Sequence, residues 1–217
     1  MIDRVLLDPR REVHGDGARP VLVWVLPAGT VAIASAVLGG GIGAREWVLN
    51  AQVDKHYDHA DPAEHVASIA TSLELDPSTG AGLLTAAPVL EMTSAEDGEV
   101  ECVATVGITT PTWAAAEDGA WSTWAPGTIN LVCWVPAALT DAALVNAVVT
   151  VTEAKAQALA EAGVPGTGTA SDAIVVCCPS GGVEAYGGPR SRWGARLARA
   201  VHGAVAAGVD GYAGRAR

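Results

Sequence analysis

The chain has 217 residues, 50% of them hydrophobic and 17% charged, a balance that excludes extended disorder and allows a sizeable core. Its 13 Lys and Arg against 24 Asp and Glu leave a formal charge of -11, which repels phosphate backbones and anionic lipid and excludes nucleic acid as the expected partner. At this length a single domain over residues 1–217 is expected, with a core over about 20–205 and short flexible termini.

The N-terminal MIDRVLLDPRREV sets acids and bases around a very short apolar patch, unlike a signal peptide, so the expected location is cytoplasmic. Val21 to Gly43 is uncharged and as long as a membrane span, which needs roughly 20 apolar residues. Pro27, Gly29 and the glycines at 39, 40, 41 and 43 break it, however, into the strand-like blocks VLVWVL and TVAIASAVL around a turn. No membrane span is expected. The run GGGIG lacks the third glycine of a dinucleotide fingerprint, where Glu46 stands, and the Lys-Ser/Thr ending of a P-loop. It reads either as a tight turn or as close-approaching backbone whose N–H groups polarise an amide.

In HYDHADPAEH, His56, His59 and His65 fit no zinc spacing, and Pro62 separates the first two from the helix carrying the third, so no metal is expected. That helix starts with Asp61 as N-cap, Pro62 in its first turn and Glu64 completing a capping box, with an apolar stripe of Val66, Ile69 and Leu73. Strand-like blocks follow at GLLTAA, VECVATVGI, TINLVCWV and AIVVCC, the last two near-continuous apolar runs that imply cover on both faces. Between them, Trp113, Trp121 and Trp124 either pave a pocket or pack on the core. A second helix runs from Thr140 to a stop at Gly163. It has a proposed apolar face of Val145, Val149, Thr152, Ala156 and Leu159 and a polar stripe of Asn146, Thr150, Glu153 and Gln157. Lys155 points elsewhere, so no Glu153–Lys155 dyad forms.

GTGTASDA, residues 166–173, brings Gly, Thr, Ser and Asp to the entrance of the last strand, as turn chemistry or as groups that orient a polar substrate. A third helix begins near Ser191, buries Trp193, Leu197 and Val201, and fades into a loose DGYAGRAR. Cys102, Cys133, Cys177 and Cys178 lie in strand-like runs without metal or disulfide spacing and read as buried free thiols, the last two on opposite faces. The resulting order of strands and helices does not alternate strictly. The expected class is α+β, with mixed sheet or sheets layered with about three helices.

No motif above names a reaction, since there is no G-x-S-x-G elbow and no histidine near an obvious nucleophile. Taken together, however, SAVLGGGI from Ser35, N-x-x-V-x-x-x-Y from Asn50 to Tyr57 with DPAEH after it, GLLTAA, VATVG, GTIN, TEAKAQAL, TGTASDA and Tyr186-Gly187-Gly188 with Gly194 resemble the adenosylcobinamide amidohydrolase family of corrinoid salvage. The resemblance implies hydrolysis of the amide joining the aminopropanol arm of adenosylcobinamide to its corrin ring, releasing adenosylcobyric acid. It also implies a corrinoid substrate, whose positive charge suits an acidic protein, and no cofactor. Two departures stand out: TGTASDA for TGTGTDA, and Pro189-Arg190-Ser191 where the family usually has Thr-His-Thr. Arginine stays charged and cannot shuttle protons.

On this reading Glu153 or Asp172 activates water, and Asn130 or Thr128 with the N–H groups of Gly39, Gly40 and Gly41 stabilises the oxyanion. Ser35, Asn50, Thr169, Ser171 and Tyr186 complete the substrate site. A covalent role for Ser35, Ser171 or Thr105 stays open. The alternative, motivated by Arg190, is a corrinoid-binding protein that kept the pocket without the chemistry.

Overall fold

In the computed structural model, which describes residues 4–119 and 127–215, ten strands form two sheets. The first sheet has the order β1-β2-β5-β6, comprising β1 (Arg10–His14), β2 (Arg19–Val25), β5 (Trp47–Gln52) and β6 (Gly80–Thr85). The second, β4-β3-β10-β9-β8-β7, comprises β3 (Thr30–Ala34), β4 (Gly41–Ala44), β7 (Thr93–Asp97), β8 (Val100–Val106), β9 (Ile129–Trp134) and β10 (Ala173–Pro179). Two pairings are parallel, β5 with β6 and β9 with β10, and each is joined by a crossover helix, α1 (Pro62–Ser72) and α2 (Asp141–Glu161). α3 (Arg192–Arg215) packs beside α2.

Alternation along the strands sorts side chains into three cores. Leu22, Trp24 and Val48 face Val103, Val132 and Val175 between the sheets, while Val21, Val23 and Leu49 face Val66 and Ile69 of α1. Cys102, Leu131 and Val176 turn outward onto α2 and α3. The molecule is thus a single-domain α+β sandwich, helix–sheet–sheet–helices. The turn at Pro27–Gly29 is not a hairpin: β2 and β3 lie in different sheets, and Gly29 takes φ +79° at this corner. Buried Glu101 fastens the N-terminal segment, accepting from Val5 N and Leu6 N at 3.0 and 2.6 Å. All four cysteines are buried and free, and Cys177 and Cys178 belong to different cores.

Several expectations are corrected. β1, β4 and β7 were not anticipated: they are outer strands with exposed, polar or glycine-rich positions and no core signature. β5 was missed because Asn50 interrupts its apolar run. On α2 the proposed apolar face holds at Leu159, which is buried, but fails along the first half of the helix. Val145 and Val149 are exposed, and the buried stripe is Ala143, Ala147, Val151, Ala154 and Ala158, small residues that let α3 approach closely. α3 stays helical to Arg215, where a loose tail was expected. Asp61 caps α1 by accepting from Ala63 N and Glu64 N at 3.0 Å, but its own N–H donates to His59 Nδ1 at 3.2 Å. That bond stands where the capping box anticipates the Glu64 carboxylate.

Candidate active site

A pocket of about 390 Å³ opens at one end of the sandwich. Ser35 after β3, Tyr57 after β5, Leu84 of β6, Thr128 before β9, and Ser171 with Asp172 before β10 contribute to its wall. Both sheets therefore supply the site.

Asp172 organises the floor. Its Oδ1 accepts from Ile129 N at 2.9 Å and lies 2.5 Å from Thr169 Oγ1. Its Oδ2 accepts from Thr169 N at 3.1 Å and from the Lys155 ammonium. Lys155 and Asp172 expose only 7% and 10% of their side chains, so the pair is a buried one. Gly168 leaves room for it, because a Cβ there would fall 2.3 Å from Asp172 Oδ2 and 2.6 Å from Lys155 Nζ. The loop so fixed sets Ser171 Oγ 2.7 Å from Thr128 Oγ1 and 3.2 Å from Gly127 O. Thr169 Oγ1 lies 2.5 Å from both Gly127 O and Asp172 Oδ1, and its single proton serves one of them at a time. Ser35 Oγ accepts from Ile174 N at 3.0 Å.

Behind the pocket a polar bridge crosses between the sheets. Asn50 Nδ2 donates to Thr105 Oγ1 at 3.0 Å, and Asn130 Nδ2 donates to Asn50 Oδ1 at 2.9 Å and to Leu84 O at 3.0 Å. The donors of Asn130 are spent within the protein, and its Oδ1 is buried without a partner. Asn130 is therefore placed to accept a hydrogen bond, not to donate one to an oxyanion. Thr105 is equally enclosed, which leaves Ser35 and Ser171 as the hydroxyls of the open nucleophile question that face the pocket. Burial pushes the thiol of Cys177 well up from its ordinary range and raises that of Cys178, so neither supplies a thiolate.

Sequence reasoning did not anticipate Tyr57, its partner His65, or the pairing of Lys155 with Asp172. Lys155 had a signal: it shares a face with Val151, Ala154 and Ala158, and a lysine inside an apolar stripe needs a buried counter-charge. Among the described residues, no three His, Cys, Asp or Glu side chains are arranged to hold a metal ion, and no helix is long and apolar enough to cross a membrane. Trp113 is exposed, and Trp121 and Trp124 lie outside the described residues.

Residues 6–217 match the family described as adenosylcobinamide amidohydrolase. The chain belongs to the adenosylcobinamide amidohydrolase family. A relative of that name from Methanosarcina mazei is 28% identical over 186 residues, 81% of this chain and 88% of the relative. Another of that name, from Halobacterium salinarum, is 49% identical over 87 residues, 39% of this chain and 37% of that protein.

Not every block of the amidohydrolase pattern reaches the pocket. Gly39 takes φ +68° in the turn from β3 to β4 and Gly41 takes +88° as the first residue of β4, and a Cβ on Gly39 would stand 2.0 Å from Gly80 O. The glycine run thus joins the edges of the two sheets, aided by hydrogen bonds between Leu38 and Gly82, while Ser35 and Val37 face the pocket. Glu153 is exposed on α2, two turns from Asn146 and on the same side. Asn146, Tyr186 and Arg190 line a separate shallow recess that shares no residue with the pocket. The glycines of the Tyr-Gly-Gly block pack backbone on backbone: a Cβ on Gly187 would meet Ala143 O at 2.2 Å, and one on Gly194 would meet Gly188 O at 2.0 Å.

Proposed function

We propose that this pocket hydrolyses the amide between the aminopropanol arm and the corrin ring of adenosylcobinamide, giving adenosylcobyric acid and free aminopropanol. The observation that carries the reading is the Asp172 loop, which brings the Ser171 hydroxyl, hydrogen-bonded with that of Thr128, and the Asp172 carboxylate to the wall of one pocket. A pocket of about 390 Å³ suits the arm and its amide, with the much larger ring resting outside over the rim. The net charge of -11 favours approach of a cationic corrinoid.

In this mechanism Ser171 and Thr128 orient the attacking water. Asp172 Oδ1 takes its proton when the Thr169 hydroxyl turns to Gly127 O, and Lys155 holds the carboxylate in place. Water oxygen bonds to the amide carbon, the C–N bond breaks, and the amine leaves with a proton. Water is preferred to a serine nucleophile because, among the described residues, no imidazole, amine or carboxylate is hydrogen-bonded to Ser35 or Ser171. Arg190, which motivates the non-catalytic alternative, belongs to the separate recess, so its replacement of histidine leaves the pocket groups intact.

Incubation of the purified protein with adenosylcobinamide, followed by mass spectrometry, tests the reading. Stoichiometric aminopropanol and a new corrinoid carboxylate are expected. Binding without either product would transfer the protein to the corrinoid-binding class.

A further inference from the structure

An amide resists hydrolysis chiefly because its amine is a poor leaving group, so the nitrogen must gain a proton as the C–N bond breaks. Among the titratable side chains that line the pocket are Asp54, Lys55, Tyr57 and Asp172. Asp54 is held anionic by hydrogen bonds from His56 N and Arg19, and Asp172 is engaged by Lys155. Lys55 is exposed. Tyr57 is half-buried and fixed, its Oη lying 2.9 Å from His65 Nδ1, with the two rings 5.5 Å apart at 19°.

Resting on the proposed amide hydrolysis, we propose that Tyr57 is the acid that protonates the departing amine and that His65 is its positioning residue. Burial, followed by Asp61, raises the phenol above its ordinary value of 10.0, so it stays protonated near neutrality. Burial, with His59 and then His14 adding to it, lowers the His65 imidazole, so it is neutral there. His59 stacks on His65 at 4.9 Å, and its Nδ1 accepts from Asp61 N; His14 is 5.8 Å from His65 and donates from Nε2 to Gln52 O at 2.7 Å. A neutral His65 with its proton on Nδ1 donates to Tyr57 Oη, which aims the phenol's own proton into the pocket. In the step, the Tyr57 O–H bond breaks as the amine N–H bond forms, and His65 Nδ1–H holds the transient phenolate. The proton that Asp172 takes from water then returns through solvent to Tyr57, and the enzyme's proton count is unchanged.

The test measures kcat and KM on adenosylcobinamide, and on the p-nitrophenyl ester of adenosylcobyric acid, whose leaving group departs as a stable phenolate and needs no proton. Tyr57→Phe keeps the ring and is expected to lower kcat about 10²-fold or more on adenosylcobinamide with KM little changed, while losing less than threefold on the ester. His65→Asn, which keeps a donor near the Nδ1 position, should retain more activity than His65→Leu. If wild type releases no aminopropanol, the hydrolase reading itself fails. If wild type turns over and Tyr57→Phe stays within threefold of it, or loses equally on both substrates, the acid role is overturned while the hydrolase reading stands.

Discussion

Removing one partner of the Lys155–Asp172 pair should reveal how the pocket floor is held. Asp172→Asn keeps the shape but leaves the Lys155 ammonium, 7% exposed, without its counter-charge. Stranding a buried charge typically costs about 3–5 kcal/mol. Lys155→Met is gentler, because the carboxylate keeps its contacts with Ile129 N, Thr169 N and Thr169 Oγ1, and about 2 kcal/mol is expected. For a chain of this size each kcal/mol moves Tm by about 2–4 °C, so the two variants should melt about 6–20 °C and about 4–8 °C below wild type. The double variant should cost less than the sum of the singles, with a coupling above about 1 kcal/mol, since the second change removes the group the first left stranded. Thermal melts by circular dichroism on the four proteins provide the cycle. Strict additivity, or Lys155→Met melting below Asp172→Asn, would refute the account of a saturated carboxylate facing a singly paired ammonium.

Asn130→Ala deprives Asn50 Oδ1 and Leu84 O of their buried donor and should destabilise by about 3 kcal/mol in urea titrations; a loss below about 1 kcal/mol would remove the inter-sheet bridge from the account. Gly39→Ala places a Cβ 2.0 Å from Gly80 O at φ +68°, so soluble yield and Tm should both collapse, and a wild-type melt would contradict the staple. Glu153→Gln should leave turnover within twofold, because the side chain is exposed outside the pocket, whereas Asp172→Asn should lower it at least tenfold at a temperature where both are folded. For His65 the lowered folded-state value means that the unfolded chain binds more protons just below pH 6.5. Its contribution is present above about pH 6.5 and fades as pH falls through the folded value, so His65→Asn should flatten the Tm-against-pH slope there. An unchanged slope would exclude it.

What the sequence made legible follows from which signals survive projection onto one dimension. β9 and β10 are covered on both faces and read as near-continuous apolar runs, and α1 announces itself through Asp61 and Pro62. α2 was found, but turned, because branched aliphatics were weighed above alanines. Val145 and Val149 are exposed, while Ala143, Ala147 and Ala154 are buried because a close helix–helix approach selects small volume over hydrophobicity. The same substitution of criterion hid β5: Asn50 looks like a break in a strand until Thr105 and Asn130, from the other sheet, satisfy it.

The site shows the limit more sharply. TGTASDA was readable as loop chemistry, yet Asp172 acquires its meaning from Lys155, which the β9–α2–β10 crossover returns to its side. Tyr57 and His65 come together in the same way at the start of the β5–α1–β6 crossover. Each parallel unit thus delivers one polar pair, and each pair is formed within a local segment. Only the stacking of the two sheets sets Tyr57 and Asp172 around one pocket, and that alignment depends on which faces of β5, β9 and β10 are buried against each other. A change that slips one sheet on the other should therefore separate the pairs without breaking either.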